Sequence, residues 1–248
     1  MKHTLLSLLA LFLVFSAGAQ VPSGVVVYEQ KTNLHLRMKD MNEEMKAMVP
    51  EFQTVQKELL FSGNQTLYRT LKAEDLNLEQ ESDGNKVQIR MTMPEEFLFR
   101  DYDAGTKTEQ RDFLGRKFLI RDAIAPLAWK VTGQQQLING YPCMKAVMSD
   151  TTKNQEIEAW FTPAIAVKGG PEGFSQLPGL VIQVSVNGGE VVYTATSIEL
   201  KPLEAGQLSE PTEGKAVTQT EFDAIVAEKM KEMGGGKGGF IRIARENE

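Results

Sequence analysis

Apolar and polar residues alternate over short runs, broken at short intervals by turn formers, through most of the chain from Val25 to Leu200. The runs are Val25–Arg37, Glu58–Phe61, Thr66–Leu71, Lys86–Met93, Phe97–Tyr102, Thr108–Phe113 and Lys117–Ile120. They continue at Ala128–Thr132, Gln135–Ile138, Met144–Ser149, Glu156–Thr162, Leu180–Val186 and Val191–Leu200. A period of two places successive side chains on opposite faces of a strand, so each run predicts a strand with one buried and one wet face. Ser62-Gly63-Asn64, Asp83-Gly84-Asn85, Asp103-Ala104-Gly105, Asn139-Gly140 and Asn187-Gly188-Gly189 suit hairpin turns, because Gly and Asn tolerate positive φ. No long helical pattern separates the runs, which disfavours a parallel α/β sheet. The expected fold is mainly β (α+β), a curved antiparallel β-meander or half-barrel with one or two packing helices.

Two segments carry helical spacing. Asp40 to Val49 has a possible N-cap at Asp40 with Glu43 three residues on, and Pro50 stops it. Met38, Met41, Met45 and Met48 share one face of that helix, which predicts a pliable Met-rich lid over the sheet. Thr218 and Glu221 form a capping-box pair, and Phe222, Ile225, Val226, Met230 and Met233 follow as an apolar stripe ended by Gly234-Gly235-Gly236.

At the N-terminus, Lys2, the apolar run Leu5 to Phe15 and Ala17-Gly18-Ala19 follow one another in the order of a signal peptide. Residues 1–19 are therefore expected to be removed near Ala19, leaving a soluble periplasmic or secreted domain over 20–233 and a Gly-rich tail over 234–248. Cys143 is the one cysteine, so no intramolecular disulfide can form, and its apolar surroundings predict burial. The 27 Lys and Arg residues are scattered against 33 Asp and Glu, a net charge of −6, which argues against nucleic acid as a partner.

The segment from Trp160 to Val186 reads as a strand end, a glycine-rich loop, a tight turn and a new strand. Trp160-Phe161-Thr162-Pro163 leads to Gly169-Gly170-Pro171-Glu172-Gly173-Phe174 and then to Gln176-Leu177-Pro178-Gly179-Leu180-Val181. Pro178 and Gly179 predict a type II turn, with Leu177 and Phe174 as apolar anchors. These residues resemble the GLPGLI family of exported Gram-negative proteins, with Gln176 and Val181 departing from the motif. The resemblance extends upstream through Asp112 to Ile120, Trp129-Lys130 and Ile138 to Ala146. It implies no established activity and no agreed catalytic residues. The strand pattern is also similar to that of periplasmic lipoprotein carriers.

The mature chain's one histidine, His35, falls in the first strand run, and no nucleophile elbow, zinc-protease helix or phosphate loop is present in the sequence. No catalytic residue, metal site or cofactor is assigned. The expected function is a non-catalytic binding module for an apolar small molecule such as a lipid. Trp160, Pro171, Phe174, Leu177, Pro178 and Gly179 are its motif residues. One alternative is a module that docks on a cell-envelope protein through the Gly169–Leu180 loop. Others are copper binding by the methionines, since thioethers select Cu(I), and an unrecognised enzyme, for which a Cys143–His35 pair is the sharpest candidate. The oligomeric state is left open.

Overall fold

The computed structural model describes residues 22–38, 43–73, 76–82, 85–91, 96–232 and 242–244. The alternating runs become β1 (Ser23–Asn33), β2 (Phe52–Ser62), β3 (Gln65–Ala73), β4 (Leu76–Ser82), β5 (Asn85–Met91), β6 (Glu96–Asp101), β7 (Thr106–Phe113) and β8 (Arg116–Ala123). Then come β9 (Lys130–Ile138), β10 (Tyr141–Asp150), β11 (Gln155–Thr162), β12 (Leu180–Val186), β13 (Val191–Leu200), β14 (Lys215–Val217) and β15 (Arg242–Ala244). The helices are α1 (Leu34–Arg37), α2 (Glu43–Met48) and α3 (Gln219–Glu232). Mainly β architecture with few helices is what alternation requires.

Twelve strands form one sheet in the order β14-β8-β7-β6-β3-β2-β1-β13-β12-β11-β10-β9, and β15-β5-β4 form a second. Every pairing is antiparallel except β14 on β8. The topology is two meanders that meet at β1, which pairs with both β2 and β13.

That order forces curvature. β8 and β9 stand ten places apart in the sheet, which at ~4.8 Å per strand is an arc of ~48 Å. The connection between them, residues 124–129, reaches at most ~25 Å when fully extended. The sheet must therefore roll so that its two ends approach, leaving a concave inner face. The segment 163–179, between β11 and β12, lies on that face: its Ile165 and Val167 pack with Val26, Tyr28, Leu59, Phe61 and Leu180 in one core cluster. The 124–129 connection ties this segment down, for Trp129 Nε1 donates to Ser175 O at 2.9 Å and Gln176 Nε2 to Ala125 O at 2.9 Å.

α3 covers the β8 end. Thr218 N–H donates to Glu221 Oε2 at 2.7 Å and Glu221 N–H to Thr218 Oγ1 at 3.2 Å, so the capping box closes as the residue types require. Phe222 stacks edge-on against Phe118 (5.3 Å) and Phe113 (6.1 Å). Phe222→Ala is expected to lower stability by about 3 kcal/mol, read as a lower urea midpoint with an unchanged slope. A loss below about 1 kcal/mol would show that α3 is not part of the cooperative core.

Several expectations change. The first strand ends at Asn33 rather than at Arg37, because the Asn33 side chain accepts from Leu36 N–H at 2.9 Å and turns the chain into α1, carrying Leu34, His35 and Leu36 with it. β4 carries only Leu76 and Leu78 before a polar stretch, so alternation missed it. Ala128–Thr132 and Gln135–Ile138 are not two strands, since one strand, β9, runs from Lys130 across Gly133 to Ile138. Pro178 does not head a type II turn. Gly179 N–H donates to Leu177 O at 2.8 Å across a three-residue turn, and Leu180 N–H is taken by Ile165 O at 3.0 Å.

Candidate functional site

The inner face of the sheet is unusually polar for a buried wall. On β2, Lys57 has the same parity as Val55, Leu59 and Phe61, and its side chain is only 5% exposed. Its ammonium lies 3.4 Å from Glu96 Oε2 on β6 and 3.4 Å from Glu172 Oε1 in the covering segment. The Tyr68 ring of β3 lies beneath it, 5.7 Å away. On β7, Glu109 accepts from Arg111 at 2.5 Å, and Arg111 in turn stands over the Phe222 ring at 5.6 Å. Lys57, Arg100 and Arg111 thus face Glu96, Glu109 and Glu172, three cations against three carboxylates.

Position within the sheet sets the titration of these groups. Burial pushes the Glu172 carboxyl upward, against the pull of Lys57, and Glu96 and Glu109 add to the rise. Burial first, and then Glu172, also raises the phenols of Tyr68 and Tyr193. Arg100 is lowered by burial, although Tyr102, Glu109 and Glu172 favour its charge. Burial opposes the Arg111 charge as well, but Glu109 beside it carries the guanidinium upward.

Glu172 is held in the left-handed region at φ 50°, a conformation a β-carbon disfavours. Its folded carboxyl takes up a proton at higher pH than in the unfolded chain, so the fold favours the protonated form. That contribution to stability is fully present below the unfolded value and is lost as pH rises through the folded one. The melting temperature of Glu172→Gln should therefore gain on that of the parent between pH 4 and pH 8. A difference that does not change with pH would remove Glu172 from this account.

The same face holds buried polar atoms with no hydrogen-bond partner among the described residues. They include Thr66 Oγ1, Tyr68 OH and Thr70 Oγ1 at successive inward positions of β3, and Arg100 Nη1 of β6. Tyr102 OH, Gln30 Oε1, Gln53 Nε2 and Ser175 Oγ of the covering segment are also unpartnered. Buried polar groups are almost always paired, so a concentration of this kind on one wall asks for a polar occupant. At the Tyr102 end a surface depression of about 280 Å³ opens, lined by Tyr102, Gly105, Ile124, Lys168 and Gln176.

Of the sequence-derived motif residues, the structure brings four together in the covering segment. Pro171, Leu177 and Gly179 are buried and Phe174 is half-buried, its ring 5.8 Å from that of Tyr193. Pro178 is exposed. Trp160 lies apart on β11, half-buried, with Lys145 Nζ 6.0 Å above its ring. Met38 ends α1, Met45 and Met48 fall in α2, and Met41 lies outside the described residues, as do residues 1–19 and the tail from 234 to 241. The copper reading falls mostly on those methionines. His35 and Cys143 are engaged separately: His35 Nε2 bonds Val49 O at 2.9 Å, while Cys143 is buried in the main core with its thiol raised by burial.

Lys57, Tyr68, Glu96, Arg100, Glu109, Arg111 and Tyr193 were not among the sequence candidates. The signal that finds them is parity: each sits at an inward position of a strand, beside residues such as Leu59, Leu98 and Phe113.

Residues 119–224 match the family described as N-glycanase peptide, N-terminal domain, which is less than half of the chain. The solved structure of PNGF-II in a C2 crystal form is similar over 84% of this chain, with a TM-score of 0.56 and 18% identity. A second crystal form of PNGF-II, in space group P21, gives the same TM-score and identity. At that identity the likeness shows the fold. This chain covers 33% and 34% of those two chains, so it spans about a third of their length. No curated protein matches it.

These findings correct the resemblance drawn from the sequence: the family match is to the N-glycanase N-terminal domain and not to the GLPGLI family. They also overturn the lipid or apolar-ligand reading. The physical reason is visible in the inner face, whose charges and unpartnered hydroxyls would cost free energy against an acyl chain. In the Gly169–Leu180 loop, the alternative docking surface for an envelope protein, Gly169, Gly170, Pro171, Leu177, Gly179 and Leu180 are buried against the sheet while Gly173 and Pro178 are exposed.

Proposed function

We propose that this chain is a glycoprotein-recognition module of the kind described as the N-terminal domain of an N-glycanase, with the polar inner face as its sugar-binding wall. The observation that carries the reading is the row of unpartnered groups from Gln30 through Thr70, Tyr68 and Thr66 to Arg100 and Tyr102. Sugar hydroxyls both donate and accept, and hydroxyl, amide and guanidinium groups are their natural complements. Half-buried Phe174 is the aromatic ring next to that row, packed 5.8 Å from buried Tyr193, which stands opposite Gln30. The similarity of residues 119–224 supports the same reading, because the covering segment and Tyr193 fall inside it.

The assignment is recognition, because the unpartnered groups of the inner face are hydroxyl, amide and guanidinium groups that hold a sugar by hydrogen bonds. Export on the N-terminal segment, under the same proposal, would bring the module to glycoproteins outside the cytoplasm. Calorimetric titration with an N-glycopeptide and with the same peptide lacking its glycan tests the idea. Heat only with the glycosylated form is expected. Equal binding of both peptides, or of neither, would overturn it.

A further inference from the structure

Arg100 is the least compensated charge on the inner face. It is 5% exposed, its Nη1 has no partner, and among the described residues no carboxylate lies within ion-pair distance of it. A buried guanidinium in that condition is costly unless an anion or a set of acceptors completes it. Thr66 stands directly opposite Arg100 across the β3–β6 ladder, and Tyr68 is the next inward residue of β3. Tyr102 is the next on the Arg100 side. The hydroxyls of all three are buried and unpartnered.

The group also lies close to the surface. Gly173 is exposed, and a β-carbon there would stand 4.0 Å from Arg100 Nη2 with no nearer heavy atom outside the adjoining residues. The 280 Å³ depression is lined by Tyr102, the next inward residue after Arg100, and by Lys168, a second cation. A guanidinium fork suits a planar carboxylate, and three hydroxyls around it suit a hydroxylated ring rather than a bare acid.

We infer that Arg100, with Thr66, Tyr68 and Tyr102, forms a subsite for the carboxylate of an acidic sugar, entered over Gly173 and the depression beside Tyr102. The inference rests on the glycan-recognition reading and gives it a substrate class. Lys168 steers the acid toward Arg100, and Gly173 keeps the way open because it has no side chain to lie over the guanidinium.

The test is a titration of the whole chain, followed by NMR or calorimetry, with N-acetylneuraminate and glucuronate against galactose, glucose and acetate. Acidic sugars are expected to bind at least tenfold more tightly than their neutral counterparts and than acetate. Arg100→Met should abolish that preference. Gly173→Leu, which has room to fold, should abolish it by covering Arg100, so the result does not depend on the Arg100 variant folding. Equal affinity for acidic and neutral sugars would overturn the subsite while leaving glycan recognition standing. Acetate binding as tightly as the acidic sugars would overturn the sugar assignment in favour of a general carboxylate site. Retained preference in folded Gly173→Leu would overturn the placement. Binding of no sugar, together with failure of the glycopeptide titration, would remove both readings.

Discussion

Gly179→Ala should destabilise the protein by about 4 kcal/mol, enough to leave a marginal domain substantially unfolded, because overpacking and left-handed backbone strain act together. A β-carbon at this position would stand 2.1 Å from the carbonyl oxygen of Thr162, 2.6 Å from its carbon and 2.9 Å from Pro163 Cα. Those are backbone atoms of the strand end from which the covering segment departs, so no rotamer change relieves the contact. The φ of 150° is one that glycine alone adopts readily. The close approach lets Leu180 N–H reach Ile165 O and Leu177 sink to 2% exposure. Equilibrium urea unfolding of the variant checks this. A loss under about 1 kcal/mol would mean that the segment can lift from the sheet at little cost, and the packing account would fail.

Lys57→Met is expected to cost about 3 kcal/mol, since removing one partner of a buried charge cluster leaves the others uncompensated. Both Glu96 and Glu172 lose their cation at 3.4 Å. The loss should shrink at acid pH, where the Glu172 carboxyl, held high by burial, takes up a proton. Combining Lys57→Met with Glu172→Gln should recover at least about 1 kcal/mol of coupling energy, as contacting residues do. A double-mutant cycle by urea denaturation at neutral pH measures it. Strict additivity would show that Lys57 and Glu172 do not sense each other, and the inner-face cluster would have to be redrawn.

The two variants also separate the roles of the covering segment. Gly179 acts through shape, at the point where the segment rejoins the sheet. Glu172 acts through charge, at the point where the segment faces Lys57, in a backbone conformation that costs about 1–3 kcal/mol at a non-glycine residue. Strain of that kind persists only where the surroundings hold it, and at Glu172 the contact with Lys57 is one of the interactions that do so.

Alternation fixed most of what a strand-by-strand reading can fix. The period of two in Val25 to Asn33 reappears as an alternating burial pattern along β1. Asn139-Gly140 forms its turn with φ values of 51° and 81°, and the Thr218–Glu221 capping box starts α3. These are local outcomes, decided by side-chain direction, φ preference and hydrogen bonds within a few residues. Where a local rule met a stronger local rule it failed: Asn33 caps α1 and ends a strand that hydrophobicity alone would have carried to Arg37. The site was legible only in part. Phe174, Leu177 and Gly179 mark the covering segment in the sequence, but Lys57, Arg100 and Arg111 look like ordinary surface charges until their parity is compared with Leu59, Leu98 and Phe113.

The sequence by itself therefore determined a β-rich chain, hairpin turns such as Asn139-Gly140, the α3 cap and the burial of Cys143. The tertiary structure decided how the sheet closes and what its inner face holds. Rolling is imposed by a short connection between strands ten places apart, a constraint that exists only once the strand order is known. The folded sheet and its covering segment bring Glu96 and Glu172, distant in sequence, each to 3.4 Å from the Lys57 ammonium. Electrostatic energy depends on distance in space and on exclusion of water, and neither quantity is written in residue order.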